Sequence, residues 1–381
     1  MDASTNVAET QDVVVIGGGQ AGLAAGYWLK KAGAKFVIAD RGAYVGQSWR
    51  ERYDSLTLFT SREYCALPGL AFPGAATGYP HKDEMADYLA RYAVTFDLPV
   101  RLGAAVTRLS PMASGYAVEL NGGQMLVHTK SVVIATGSFQ LPKVPMLAAG
   151  LSSDVRQYTM TNYRNPAGLP TGTILVVGDG ASGRQIAREI AGHRRVLLAT
   201  GAKRNVSPQR VLGKDIFWWL DRLGVLWAGS QTRVGALLRE RNPFPGKVLE
   251  LKSLARTGVE VRGRLAGFED NRATFAEGNS VAIGAVIWAV GYRDEVAWVD
   301  VDGLLNGKGQ FKDVGLDAVV PGIYFVGRSW QSSRASALIC GVGRDAQRVV
   351  QQWSSGARAA VTGDATIAKA KTGAASATVT G

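Results

Sequence analysis

Two cysteines, Cys65 and Cys340, and three histidines, His81, His128 and His193, are all that 381 residues offer to thiol or metal chemistry. The cysteines stand far apart and form no Cys-x-x-Cys pair, so a redox dithiol has no motif here and two buried thiols are expected. The histidines share no ligand spacing. His81, ahead of an expected helix in YPHKDEMADYL, reads as a surface or capping residue. Long apolar runs are missing too, and no uninterrupted stretch could span a bilayer. The amino terminus, MDASTNVAETQD, lacks the basic start and apolar core of a signal peptide. A cytoplasmic protein with no integral membrane segment is expected. Net charge is +12, yet the Lys and Arg residues are scattered, with no basic run and no aromatic RNA-binding motif. That pattern argues against nucleic acid and for a positive surface around sites for anionic ligands.

What the chain has in quantity is glycine, 47 residues, in a sequence whose 46% hydrophobic content can fill two domains. Two stretches use it alike. In VVVIGGGQAGLAAG, the β-branched run from Val13 to Ile16 predicts a parallel strand covered on both faces. Gly17, Gly19 and Gly22 then allow a tight turn, the close approach of a pyrophosphate and the contact of helix with strand. The helix beginning at Gln20 aims its free N–H groups at that phosphate. The next strand, KFVIAD, ends in Asp40, followed by Arg41, and the Asp40 carboxylate can accept hydrogen bonds from an adenosine ribose.

The second stretch, ILVVGDGASGRQIA, repeats the pattern with Gly178, Gly180 and Gly183, and Ser182 opens its helix. Its following strand, RRVLLAT, ends in Thr200 with no acid, and Lys203 and Arg204 come next. A basic pair there suits the extra 2′-phosphate of NADPH, although a solvated loop with two cations would carry the same residues. The acid-ended site suits FAD. Two loops therefore imply two dinucleotides, one supplying a hydride and the other holding the ring that accepts it. Disulfide reductases of the thioredoxin reductase type combine the same cofactors, but they need the dithiol that is missing here.

The expected fold class is α/β, with two Rossmann-like dinucleotide-binding domains and the NADPH domain inserted in the FAD domain. Residues 1–11 read as a flexible arm, 12–165 and 283–353 as the FAD domain, 166–282 as the NADPH domain and 354–381 as a disordered tail. RLGAAVTRLSPMASGYAVELNGGQMLVHTKSVVIATG alternates as a meander around a turn at Asn121, Gly122 and Gly123. AVIWAVGY, ending at Gly291 and Tyr292, resembles the earlier ATG strand and is expected to mark the return to the first domain. Residues 204–245 include Phe217, Trp218, Trp219 and Trp227 on an amphipathic helix. These could form an apolar lid over the flavin or, equally, a core or subunit contact; a peripheral membrane contact is the weaker option.

Taken together, GGGQAG, VGQSWRERYDSLTLFTSREYCALPG, ATGSFQLPKVP, YRNPAGLPTGTILVVGDGASG, GIYFVGRSW and SALICGVGRDA resemble the flavin-containing monooxygenase group. Within it, the chain is similar to the compact bacterial flavoproteins labelled CzcO-like and to the plant YUCCA enzymes. The resemblance implies that Gly46, Gln47, Ser48 and Trp49 lie along the flavin, with plain core packing the lesser reading for Trp49. It implies that Thr136 and Gly137 link the two cofactor domains, and that Gly327 and Arg328 follow the last strand near FAD, without the Asp that related flavoproteins place there. The helix from Gly341 to Arg344 would direct its dipole at the flavin. Two departures stand out. Phe59 occupies the place of an Asn donor in LFTSREY, and Thr159 that of a His in VRQYTMTNYRNP. Any polar help would then come from Thr60, Gln331 or bound NADP.

The activity this implies is an NADPH-dependent FAD monooxygenase, in which a flavin hydroperoxide oxygenates a small organic substrate using dioxygen. The demand on the protein is exclusion of water and stray protons. A reductase or oxidase of the same architecture releasing hydrogen peroxide is the second reading, and a non-catalytic cofactor-binding sensor the third.

Overall fold

The computed structural model describes residues 8–202, 205–241, 244–312, 315–316 and 320–362. Strand β1 (Glu9–Ile16), helix α1 (Gln20–Lys31) and strand β2 (Phe36–Ala39) follow the expected order. β1 and β2 pair in parallel from Val13 opposite Phe36 to Ile16 opposite Ala39. All four residues of each paired segment are buried, as a strand covered on both faces requires. Helix α2 (Lys82–Thr95) starts with a capping box: the His81 ring accepts from the Asp83 amide and Glu84 accepts from the His81 amide. Next come β3 (Val100–Arg101) and the meander β4 (Val106–Pro111), β5 (Tyr116–Leu120) and β6 (Met125–Ile134). Its tight turn has positive φ at Asn121, Gly122 and Gly123, the backbone that those residues tolerate.

The chain then builds a second sheet from β7 (Arg156–Thr159), β8 (Ile174–Val177), helix α3 (Ala181–Ala191), β9 (Val196–Ala199), helix α4 (Ile216–Arg222), β10 (Val259–Arg262) and β11 (Ala285–Trp288). It returns through β12 (Ile323–Phe325) and helix α5 (Ile339–Thr362). In the seven-stranded first sheet the order is β3-β2-β1-β6-β5-β4, with β12 parallel to β6. The five-stranded second sheet is wholly parallel, in the order β10-β9-β8-β11-β7. The fold is therefore α/β with two Rossmann-like units, the second inserted between β6 and β12 of the first. Alternate residues of each central strand face opposite layers. Val13 and Val15 pack against α1, α2 and α5, while Val14 and Ile16 pack against the meander and Trp298. Ile174 and Val176 face Ile186 and Ile190 of α3, and Leu175 and Val177 face Leu265 and Phe275.

Four boundaries differ from those read off the sequence. β1 starts at Glu9, inside the expected arm of 1–11, because Glu9, Thr10 and Gln11 pair with Val127, His128 and Thr129 of β6. β11 does not mark the return to the first domain: it lies between β8 and β7 in the second sheet, with Trp288 fully buried and its Nε1 donating to Gln157 Oε1 at 3.0 Å. A strand apolar at every position needs a neighbour on each edge and cover on each face, and only the sheet interior gives both. β7, assigned by sequence to the first unit, pairs with β11, so the second sheet spans 156–288 rather than falling within 166–282. The expected tail from 354 begins instead as the end of α5, which runs on to Thr362 through residues that include three alanines, strong helix formers. Residues 363–381 lie outside the described chain, as do residues 1–7 of the expected arm.

Candidate functional site

Each unit carries a glycine turn between its first strand and its helix, and the two are alike in detail. Gly17 has φ +106° and Gly178 φ +105°, a backbone that L side chains rarely adopt. A Cβ on Gly17 would stand 2.7 Å from the Ala135 carbonyl oxygen, and one on Gly178 would stand 2.5 Å from that of Ala289. Gly22 and Gly183 are where helix meets turn: a Cβ there would run into the carbonyl oxygen of Gly17 or of Gly178. Gly19 and Gly180 differ from all of these, since a Cβ on either meets nothing within 4 Å. That open side is where a phosphate can come against the backbone, beneath the helix N-terminus.

Both helix starts open on one cavity of about 860 Å³ between the sheets, a volume suited to large cofactors. Gly17, Gly19 and Gln20 line it from the first unit, and Ala181, Ser182 and Gln185 from the second. Asp40 lines it as well, and its carboxylate accepts from the Gly18 amide at 2.5 Å and the Gly42 amide at 2.7 Å. Each of its oxygens keeps a further lone pair for a ribose hydroxyl. Arg41, Gln47, Ser48 and Trp49 complete that wall. Gln47 is a brace, accepting from the Ala43 amide at 2.6 Å and donating to Glu51 at 2.6 Å. Trp49 lines the cavity, packs on the core and donates from Nε1 to Gln20 Oε1 at 3.2 Å.

Thr136 and Gly137 line the cavity where the chain leaves the first sheet. Gln140 donates to the Thr136 hydroxyl and the Gly137 carbonyl, both at 2.9 Å, and accepts from the Glu295 amide at 2.8 Å. Beside them, Leu141–Pro142 pairs antiparallel with Tyr292–Arg293, so the outgoing and returning crossings are zipped together. Gly291 belongs to this crossing, not to the cavity wall; its carbonyl accepts from the Lys143 amide at 2.9 Å.

Several candidates fall elsewhere. Gln331 is buried away from the cavity, donating to the carbonyls of Gly315 (3.0 Å) and Phe325 and accepting from the Arg328 amide, so its amide is spent on backbone. Arg328 is also structural: its guanidinium forms a two-pronged pair with Asp294 at 2.6 and 2.8 Å. Gly327 does line the cavity, with Ala21 pressed close. Thr60 and Phe59 line it too, Thr60 with its hydroxyl 3.1 Å from Cys65 Sγ. Thr159 does not; its hydroxyl bonds to Thr161 and Asn162. Thr200 donates to the Arg262 carbonyl at 2.8 Å. Lys203 and Arg204 lie outside the described residues.

The second turn holds a feature that sequence reasoning passed over. Asp179, 2% exposed, forms an ion pair at 3.0 Å with Arg184, itself 2% exposed, and accepts from the Gly201 amide at 3.2 Å. Arg184 also donates to the Asp179 and Leu249 carbonyls, at 2.9 and 2.8 Å. A carboxylate thus ties the glycine turn to the end of the second strand in both units, from the strand side at Asp40 and from the turn side at Asp179. An acid inside the glycine turn with an arginine five residues on was the available signal.

The tryptophan-rich segment is docked rather than laid over the cavity. No described residue of 205–241 lines the cavity. Phe217, 4% exposed, packs with Tyr64, Leu226 and Ala335, and Trp218 joins the edge of that cluster. Asp215 caps α4 through the Phe217 amide at 2.8 Å and accepts from Tyr79 at 2.6 Å. Asp221 accepts from Trp227 at 2.5 Å and Tyr64 at 3.3 Å, while Gln209 donates to the Phe59 carbonyl at 2.8 Å. The segment is therefore a buttress behind Phe59, and the core reading replaces the lid.

Burial pushes the thiols of Cys65 and Cys340 up to about 12, and neither lines the cavity. A protonated, enclosed thiol is a poor nucleophile for disulfide exchange. Among the described residues no group of His, Cys, Asp or Glu could hold a metal ion, and no helix is long and apolar enough to cross a membrane.

The chain is similar to known proteins. A family model described as pyridine nucleotide-disulphide oxidoreductase matches residues 14–213. The uncharacterized oxidoreductase CzcO of Bacillus subtilis (strain 168) is 36% identical over 90% of this chain and 98% of its own length. The indole-3-pyruvate monooxygenase YUCCA4 of Oryza sativa subsp. japonica is 26% identical over 92% of this chain and 89% of its own. Among solved structures, a flavin-containing monooxygenase from Stenotrophomonas maltophilia superposes with a TM-score of 0.76 at 27% identity, covering 91% of this chain and 99% of that one.

Proposed function

The chain belongs to the pyridine nucleotide-disulphide oxidoreductase family and is a flavin-dependent oxidoreductase with flavin monooxygenase relatives, and on that premise we propose that it is an NADPH-dependent FAD monooxygenase acting on a small organic substrate. The observation that carries this reading is the pair of glycine turns whose helices open on a single cavity, with Gly19 and Gly180 each leaving room for a phosphate at the backbone. In the first unit, Gly17, Gly19, Gln20, Gly22, Asp40, Arg41 and the segment 47–49 would hold FAD, with Thr136, Gly137 and Gly327 beside them. In the second, Gly178, Gly180, Ser182, Gly183 and Thr200 would hold NADPH, and Lys203 and Arg204 would meet its 2′-phosphate. FAD, when bound, supplies the redox chemistry: it takes electrons from NADPH and activates dioxygen.

The chain's own residues then have three tasks. The helix N-termini and Asp40 bind and orient the two dinucleotides. Leu58, Phe59, Leu338, Ile339 and Val342 form an apolar wall that excludes water from the reacting oxygen. Thr60 supplies a hydroxyl on that wall, held by Cys65. The name of the rice relative supports a substrate of the 2-oxo acid type.

One observation favours a second reading, an NADPH oxidase that releases hydrogen peroxide. Phe59 stands where the resemblance leads one to expect an amide donor, and its ring offers none; it stacks on Phe217 with centroids 6.0 Å apart. An enzyme is the family's character, so the sensor reading is set aside. Measuring NADPH consumed, hydrogen peroxide formed and oxygenated product by mass across a substrate panel separates the two. NADPH consumption matched by product supports the monooxygenase; quantitative peroxide with every compound would leave the oxidase.

A further inference from the structure

Arg52 and Tyr53, neighbours in the first unit, both bond across to the second. Tyr53, 2% exposed, donates from its hydroxyl to Gln185 Oε1, one turn into α3. Arg52 donates from Nη1 to the Tyr292 hydroxyl and from Nε to the Ser48 carbonyl at 3.2 Å. Tyr292 lies on the chain that leaves β11, and on that same chain the Ala289 carbonyl is the atom that a Cβ on Gly178 would meet at 2.5 Å. Arg52 is therefore tied on one side to the segment 47–49 and on the other to the chain beside the second glycine turn.

Two rings steady the guanidinium. Its Cζ lies 5.4 Å from the centroid of Tyr292 and 5.8 Å from that of Phe139, and those rings meet edge to face at 5.3 Å. All three side chains line the cavity. The donors are not all spent: among the described residues Nη2 makes no hydrogen bond, and no carboxylate pairs with the cation. Glu51 and Glu295 line the cavity too, but they accept from Gln47 and from the Ala297 amide. Arg184 and Arg328, by contrast, each hold an acid, Asp179 and Asp294. An arginine fixed by a carbonyl, a hydroxyl and two rings, with a charge that no acid answers, is preorganised for an anion. The anion-binding element beside it is the second glycine turn with the N-terminus of α3.

We propose that Arg52, a residue of the first unit, is an anchor of the pyridine nucleotide site in the second, and that it binds an oxygen of the dinucleotide diphosphate. The inference rests on the NADPH reading for its ligand and adds a cation that the glycine turn does not itself supply. Its test needs only binding.

Holoprotein is titrated calorimetrically with 2′-phospho-ADP-ribose, which carries the diphosphate, and with adenosine 2′-monophosphate, which lacks it. Arg52→Gln should weaken the first about 10- to 100-fold, as loss of a hydrogen bond to a charged group implies, and leave the second within about twofold. Arg52→Lys should keep part of the difference. Equal weakening of both ligands, or of neither, would overturn the proposal. Should a variant lose its FAD, a measurement on the wild type decides. Phenylglyoxal, which modifies accessible guanidinium groups, should label Arg52 in the ligand-free holoprotein, and 2′-phospho-ADP-ribose should protect it where adenosine 2′-monophosphate does not, as read by peptide mass spectrometry. Labelling that ignores the diphosphate ligand, or no labelling of Arg52 at all, would overturn the proposal. A wild type that binds neither ligand would remove the NADPH reading and the proposal with it. Absence of oxygenated product, with the binding results as expected, counts against the monooxygenase reading alone.

Discussion

Alanine at Gly19 should leave the fold intact and cost the protein its flavin. Gly19 has φ −76°, which any residue adopts, and its Cβ would meet no atom within 4 Å, so folding stability should move by no more than about 0.5 kcal/mol. The added methyl projects into the open side of the turn, where a phosphate must come against the backbone. Losing one hydrogen bond to a charged phosphate costs about 1.5–3 kcal/mol, which is roughly 10- to 150-fold in Kd. Gly180, with φ −69° and the same open side, gives the matching experiment: Gly180→Ala should raise the NADPH KM by a similar factor and leave FAD in place. Gly22→Ala is the contrasting control, because its Cβ would collide with the Gly17 carbonyl and the fold itself should suffer. The assay is FAD affinity by fluorescence on reconstitution of apoprotein, with thermal melts beside it and steady-state NADPH kinetics for the second turn. Unchanged FAD affinity in Gly19→Ala, or loss of FAD in Gly180→Ala with normal NADPH kinetics, would refute the assignment of the two turns.

Asp179→Ala removes the carboxylate from the buried Arg184 and should destabilise the second unit by about 3–5 kcal/mol in chemical denaturation, with Asp179→Ala/Arg184→Met recovering part of the loss. Trp218→Ala should lower stability by about 2 kcal/mol, less than the truncation of a fully buried tryptophan, and leave substrate KM unchanged; a shifted KM at full stability would revive the lid. Burial raises the carboxyl pKa of Asp345, so the folded chain holds that proton more tightly than the unfolded chain. Wild-type stability from this group is therefore present in acid and is lost as pH rises through the folded value. Asp345→Asn should melt at or above the wild type at neutral pH, and the gap should shrink as pH falls through the carboxylate range; a gap that widens in acid would contradict the burial argument.

Much of this site is local in origin, which is why the sequence discloses it. Gly22 and Gly183 are required by the carbonyls of Gly17 and Gly178 in the same turns, the positive φ of Gly17 and Gly178 belongs to the turn itself although their distant neighbours are Ala135 and Ala289, and the buried runs at 13–16 and 174–177 announce central strands by composition alone. Boundaries set by distant partners were less legible. β7, Arg156–Thr159, has no apolar run and becomes a strand because β11 offers it an edge. Arg328 and Gln331 follow the last strand, as the resemblance requires, but the direction of a loop side chain depends on what faces it, here Asp294 and the Phe325 carbonyl. The tryptophan-rich helix told which face is buried and nothing about its partner, since amphipathicity carries no address.

On the proposed function, one chain holds FAD and NADPH close enough for electrons to pass from one to the other. Anaerobic titration of the purified holoprotein with NADPH, watched in the flavin absorbance, tests it most directly. A yellow protein with stoichiometric FAD that NADPH bleaches completely is the expected result. A protein that takes up no flavin on reconstitution, or whose bound flavin stays oxidised under excess NADPH, would contradict it.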